Sequence, residues 1–131
     1  MAEVLKLTIL TPERKIFFGE VKDISTENDL GRFEILPRHI PIITSLVPTV
    51  TMFTELDGKK LKVFTSTGIL KVISNEVSLL TETAEWPEEI DIMRAEHAKK
   101  EAVHLLHDSH TDHKKAELKL KRAIARIKAK H

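Results

Sequence analysis

Asp91 and Arg94 stand three residues apart just after Trp86-Pro87, within Ile90-Asp91-Ile92-Met93-Arg94-Ala95. That spacing puts a carboxylate and a guanidinium on one face of the first turn of a helix. Such a pair complements a helix start, and it can also hold a charged ligand. Further on, Lys115, Lys119, Arg122 and Arg126 follow one another at intervals of four, three and four, which makes a cationic rail on a single helix face. A rail of that kind is either a solvated face or a seat for phosphate or for an acidic protein surface. His104, His107, His110 and His113 recur at every third residue. Two histidines so spaced can share a metal, but a turn interrupts the series and no cysteine completes a site, so no metal centre is assigned. No nucleophile with a positioned base and orienting acid is readable, and catalysis by this chain is not expected.

These groups need two kinds of element to place them. Up to Trp86 the apolar pattern has period two, and after Pro87 it has the period of an alanine-bearing helix. In 131 residues that change marks a β unit over 1–86 and a helical unit over 87–131. Leu5, Leu7 and Ile9 alternate with Lys6 and Thr8, and similar runs recur at 21–25, 49–53, 59–65, 68–73 and 76–80. Short half-buried strands of this number imply a compact antiparallel sandwich or flattened barrel. Asp57-Gly58 is expected to supply the positive φ angles of a tight hairpin, and Ser74-Asn75 a second turn.

The chain has no cysteine, so disulfides and thiol chemistry are excluded. No run approaches the roughly 20 apolar residues of a membrane span, and the start at 1–10 lacks a basic leader, so membrane association is expected only through a partner. The charges nearly cancel, 21 Lys and Arg against 20 Asp and Glu, but they are unevenly placed. The last helix carries eight Lys or Arg from Lys114 to Lys130 against the single acid Glu117, which calls for an anionic partner.

In the loop Gly31-Arg32-Phe33-Glu34-Ile35-Leu36-Pro37-Arg38-His39-Ile40-Pro41, prolines flank Arg38-His39. They present a basic tip with little backbone entropy left to lose on docking. In the helical unit, Ala98, Ala102, Leu105 and Leu106 form one narrow stripe, and Ala116, Leu120, Ala123, Ile124 and Ile127 another, with a turn at 107–112 between them. An antiparallel helical hairpin follows, each arm about 18 residues or ~27 Å long. Alanine stripes bury too little area to fold alone, so the hairpin must lean on the sandwich or on a partner, and exchange between the two is open to it.

This order of parts resembles the ε subunit of F-type ATP synthases (δ in mitochondrial naming), over essentially the whole chain. The segments that carry the resemblance are Gly31-x-Phe33-x-Ile35-Leu36-Pro37-x-His39-x-Pro41, Thr67-Gly68-Ile69-Leu70, Ile90-Asp91-x-x-Arg94-Ala95, and the tail from Ala116-Glu117-Leu118 to Arg122-Ala123-Ile124-Ala125-Arg126. The resemblance implies a sandwich of two five-stranded antiparallel sheets followed by an α-helical hairpin, in a non-catalytic subunit at the foot of the rotating central stalk. Its implied partners are γ and the c-ring, and its implied place is the cytoplasmic face of the bacterial membrane, reached through the complex, with protons or sodium as the coupling ion.

Arg32, Arg38 and His39 match the end of the sandwich that faces the ring, although Glu34 and Arg38 stand where glycine is usual. In the bacterial family the hairpin folds back on the sandwich, or extends along γ into the α/β catalytic head and blocks ATP hydrolysis. The basic face Lys115, Lys119, Arg122 and Arg126 then opposes acidic β-subunit surface. The family needs no cofactor, but some members bind ATP as a regulatory ligand in the folded-back state. The residues matching that motif are Glu85, Ile90, Asp91, Arg94 and Ala95, with Arg122 and Arg126. Glu101 stands where an arginine is expected, and its charge opposes a polyphosphate. The alternative reading is a free-standing β-sandwich binding module whose basic hairpin takes an acidic protein. The lack of an aromatic platform beside the rail argues against nucleic acid.

Overall fold

Alternation of apolar and polar residues is strict in β1 (Leu5–Leu10), where Leu5, Leu7 and Ile9 are buried and Lys6 is exposed. The computed structural model describes residues 3–110 and 112–131. Eight further strands follow: β2 (Lys15–Asn28), β3 (Gly31–Ile35), β4 (Ile42–Leu46), β5 (Thr49–Glu55), β6 (Lys60–Thr65), β7 (Gly68–Ile73), β8 (Glu76–Thr81) and β9 (Ala84–Glu85). Among the described residues, eight of these nine strands follow one hydrogen-bonded path, and β3 branches from it by pairing with β2.

The path makes two layers because β2 belongs to both. Its first half pairs β1, and its second half pairs β5 on one side and β3 on the other, with a register shift between Val21 and Asp23. Such a shift bends and twists a strand, which lets it pass from one layer to the next. Counted with β2 in each, the layers are β4-β7-β8-β1-β2 and β3-β2-β5-β6-β9. The expected sandwich of two five-stranded sheets is therefore present. Its sheets are not wholly antiparallel, however, because β1 and β8 run parallel, with Leu7 opposite Val77 and Ile9 opposite Leu79. Distant parts of the chain supply that pair, so neither strand's own pattern could reveal it.

The core between the layers holds Leu5, Leu7, Ile9, Val21, Ile24, Ile35, Phe53, Val63, Leu70, Val72, Val77 and Leu79. Three buried threonines add a polar ladder to the sandwich interior. Thr51 Oγ1 lies 2.9 Å from Thr26 Oγ1 and 2.8 Å from Thr65 Oγ1, so the hydroxyls satisfy one another and need no water. Of the two expected turns, Ser74 and Asn75 both take positive φ, at 50° and 64°, between the paired residues Ile73 and Glu76. At Asp57-Gly58 only Gly58 has positive φ; Asp57 instead accepts the Lys59 N–H on Oδ1 at 2.9 Å, which makes the connection longer than a two-residue turn.

Trp86 seals the seam. It packs against the main core and meets Phe53 edge-on at 6.4 Å between ring centroids. Beyond it, a single 3-10 turn (Pro87–Glu89) is pinned to the sandwich by Arg14, which reaches Glu89 with two nitrogens, each at 2.8 Å. Arg14 and the Trp86 N–H together hold the Glu89 carboxyl below its usual range. The helices α1 (Ile92–Leu106) and α2 (His113–Lys130) then form the expected hairpin, with arms of 15 and 18 residues. It leans on the sandwich through α2, which lies on β5 and β6, while α1 packs on α2.

One glycine is required by packing. A Cβ on Gly68 would lie 2.1 Å from the Leu80 carbonyl oxygen, a backbone atom that cannot turn aside. Gly68→Ala is therefore expected to force β7 from β8 and to cost at least about 2 kcal/mol, in the manner of an overpacked core. Urea denaturation of the whole chain, read as a lowered midpoint at unchanged slope, checks this.

Candidate functional site

A cleft of about 530 Å³ opens between the two helices and the seam, lined by Glu85, Glu89, Asp91, Arg94, Ala95, His97, Ala98, Glu101, Lys119, Arg122 and Arg126. Three segments build it: the end of β9 with the 3-10 turn, the first turns of α1, and the middle of α2. Asp91 is the N-cap of α1, its Oδ1 accepting the Arg94 N–H at 3.1 Å. The Asp91–Arg94 relation is thus carboxylate to backbone. This leaves the Arg94 guanidinium available, and it makes the ordinary helix-start role of Asp91 real.

The acids around the cleft are already engaged. Glu85 receives a fork from Arg126, Nε to Oε1 at 3.1 Å and Nη2 to Oε2 at 3.0 Å, and Arg126 also lies over the Phe64 ring at 4.5 Å. Glu89 is held by Arg14. Glu101 meets Lys119 at 2.9 Å, and this neighbour, followed by His97, keeps its carboxyl below the usual range. Among the described residues, no acid pairs with Arg94 or Arg122. The cleft therefore offers two uncommitted guanidinium groups, the groups best suited to a bidentate grip on phosphate or carboxylate.

Of the seven residues singled out for ATP, six line this cleft: Glu85, Asp91, Arg94, Ala95, Arg122 and Arg126. Ile90 does not. It is buried with Phe64, Ala125 and Ala129 in a second small core, where its apolar side chain anchors the seam. Glu89, His97, Ala98 and Lys119 line it too without having been singled out for it, and Glu101, standing where an arginine is expected, completes the lining. No local signal marks Glu89, whose guanidinium partner lies 75 residues away.

The cationic rail is divided by the fold. Lys119, Arg122 and Arg126 turn into the cleft, whereas Lys115 is exposed and outside it. The presented loop is divided as well. Arg38 and His39 lie together at one end of the sandwich, Arg38 at φ 68° with its N–H held by Asn75 Oδ1 at 2.7 Å and its guanidinium paired with Glu3 at 2.9 Å. His39 Nδ1 lies 2.7 Å from the Ile40 carbonyl oxygen. Arg32 is not part of that tip. It sits in β3 opposite Glu27 and donates to Thr49 Oγ1, Ser25 Oγ and the Val50 carbonyl, near the face on which α2 lies. The reason is strand geometry: from Arg32 to Arg38 the chain runs the length of β3 and so reaches the opposite end. His104, His107, His110 and His113 are exposed around the turn, and no group of potential metal ligands forms among the described residues.

The model of the ATP synthase delta/epsilon chain β-sandwich domain matches residues 4–87, and that of the delta/epsilon chain long α-helix domain matches 88–131. An ATP synthase epsilon chain of Clostridium kluyveri is 52% identical over 128 residues, covering 97% of each chain. Another, of Clostridium acetobutylicum, is 50% identical over 102 residues, 78% of this chain and 77% of that one. A chain in the Euglena gracilis mitochondrial ATP synthase structure superposes with a TM-score of 0.85 at 23% identity, over 98% of this chain and 82% of that one, which shows the same fold. Among the described residues, no helix is long and apolar enough to cross a membrane. With both units matched and curated epsilon chains similar from end to end, this chain belongs to the ATP synthase delta/epsilon family, as a non-catalytic subunit of the bacterial F-type epsilon kind.

Proposed function

We propose that this chain works in the rotor of the central stalk, joining γ to the c-ring during proton- or sodium-driven ATP synthesis, and that its hairpin restrains ATP hydrolysis. The observation that carries this reading is the pairing of a well-filled sandwich with a hairpin that rests on very little. The second core is only Phe64, Ile90, Ala125 and Ala129, with Val50 beside it, while Leu105, Leu106, Leu120, Ile124 and Ile127 stay partly exposed. An element held so lightly can leave without unfolding what it leaves.

The outer face of the β4-β7-β8-β1-β2 layer supports a seat for γ. Ile43, Ile69, Ile73 and Leu80 are exposed there, with Phe18 two strands on, an apolar face of the kind that suits a docking partner. The exposed Leu36 and Ile40 beside Arg38 and His39 suit the loop to the c-ring. On this reading the chain sits peripherally on the cytoplasmic face of the membrane, through the complex alone. The free-standing module is not favoured, because it leaves that apolar face without an occupant.

In the extended state, Lys115, Lys119, Arg122 and Arg126 face the acidic surface of the α/β head. In the folded-back state the cleft takes ATP as a regulatory ligand, with phosphates on Arg94 and Arg122, which have no acid partner among the described residues. No cofactor is needed for the stalk role itself.

Four outcomes test this. A tagged chain purified from its own cell should bring a rotary ATPase with it, and residues 1–86 alone should fold and still join the complex; loss of either would undo the two-unit rotor reading. Replacing all four rail residues by alanine, which keeps the helix at least as favourable, should release ATP hydrolysis and abolish most of its response to salt. Equal hydrolysis by mutant and parent at every salt concentration would show that the rail takes no part. In calorimetry, Glu101→Arg should tighten ATP binding about five-fold or more, because it replaces a repulsion by a charge-assisted contact.

A further inference from the structure

The inner arm of the hairpin is tied on by α2 with several groups, whereas α1 is tied on by one. α2 has Arg126 on Glu85, Lys130 Nζ on the Pro87 carbonyl at 3.0 Å, and Ala125 and Ala129 in the small core. α1 buries only Ala95 and Ala102, and its other side chains are exposed or half-exposed. Among the described residues, a single polar side-chain contact joins α1 to another element, the 2.9 Å ion pair between Glu101 and Lys119.

We propose that Glu101 and Lys119 form an electrostatic latch that closes α1 onto α2 without any bound ligand. The pair spans the cleft wall about two-thirds of the way along α1 and a third of the way along α2, well beyond the covalent hinge at Asp91. At that distance from the hinge, a small attraction has leverage over the opening of the whole arm. The same pair removes Lys119 from the rail. A closed hairpin therefore keeps Lys119 on the chain's own carboxylate, just as the end of β9 keeps Arg126 on Glu85, and opening the latch gives Lys119 up to a partner. Glu101 also lies 3.8 Å from His97, and Arg94 and Arg122 line the same cleft.

This inference rests on the reading of the hairpin as a two-state element, and one experiment separates the two. Amide hydrogen exchange of the full chain without nucleotide, followed by mass spectrometry, reads hairpin peptides against sandwich peptides. In about 0.01 M salt, where surface charges are weakly screened, Glu101→Gln should speed exchange in α1 by about two- to five-fold, the range of an exposed ion pair. Glu101→Lys should speed it more, and Glu101→Lys combined with Lys119→Glu should restore the parent rate. Glu96→Gln, which removes an α1 charge that has no ion-pair partner among the described residues, should change nothing, and about 1 M salt should erase the difference between Glu101→Gln and parent. Sandwich peptides that stay protected throughout show that the variants are folded. The latch is overturned if α1 exchanges faster than the sandwich but equally in parent and Glu101→Gln, or if the charge swap fails to restore the rate. If instead the parent hairpin exchanges as slowly as the sandwich, the two-state reading falls, and the latch with it.

Discussion

The fork from Arg126 to Glu85 is the contact on which the arrangement of the two units depends. Glu85 ends β9, the last strand of the sandwich, and Arg126 lies on α2, so the pair ties the chain's two periodicities together across 41 residues. Both side chains are about three-quarters buried, and the guanidinium plane rests on Phe64, itself fully buried. A planar fork on an aromatic face loses less freedom per hydrogen bond than a lysine would in the same place. Without it α2 would hold to the sandwich chiefly by two alanine methyls, and the cleft would lose its inner wall.

The hairpin illustrates how weak packing becomes useful. Alanine at the buried positions lets the helices approach closely, but each methyl removes little area from water, so on the proposed two-state reading charge pairs decide the balance between closed and open. Such pairs are exchangeable: a partner or ligand can replace the chain's own carboxylates with little net change. The sandwich shows the opposite character. Its large aliphatic residues and self-satisfied threonines hold one arrangement, and it can present an apolar outer face without distorting when something docks.

The hinge is built more firmly than the arm. Arg14 holds Glu89, Glu89 accepts the Trp86 N–H, and Trp86 is packed on the core, so the exit direction of the chain is set before α1 begins. Asp91 then caps the helix by satisfying the Arg94 N–H that would otherwise be open. On the proposed two-state reading, motion of the hairpin is confined to a short stretch around Ile90 and Asp91, where Ile90 is the apolar anchor in the small core.

From the sequence alone the strand period, the seam at Trp86-Pro87, the two alanine-striped helices and the family were legible, because each is written in residues close together in the chain. Six of the eleven residues that line the cleft were legible too, as matches to motifs at 85–95 and 122–126. What only the tertiary structure decided is which charge meets which. The spacing of Lys115, Lys119, Arg122 and Arg126 puts them on one face, but it cannot say that Lys119 and Arg126 are taken up by Glu101 and Glu85 while Lys115 is left in solvent. Nor can it show that Arg32 belongs with α2 instead of with Arg38, that β1 runs parallel to β8, or that Ile90 faces a core and not a ligand. The physical reason is one of range. A repeat of two or 3.6 residues selects a face from local geometry, whereas an ion pair or a strand neighbour is chosen by packing between segments tens of residues apart.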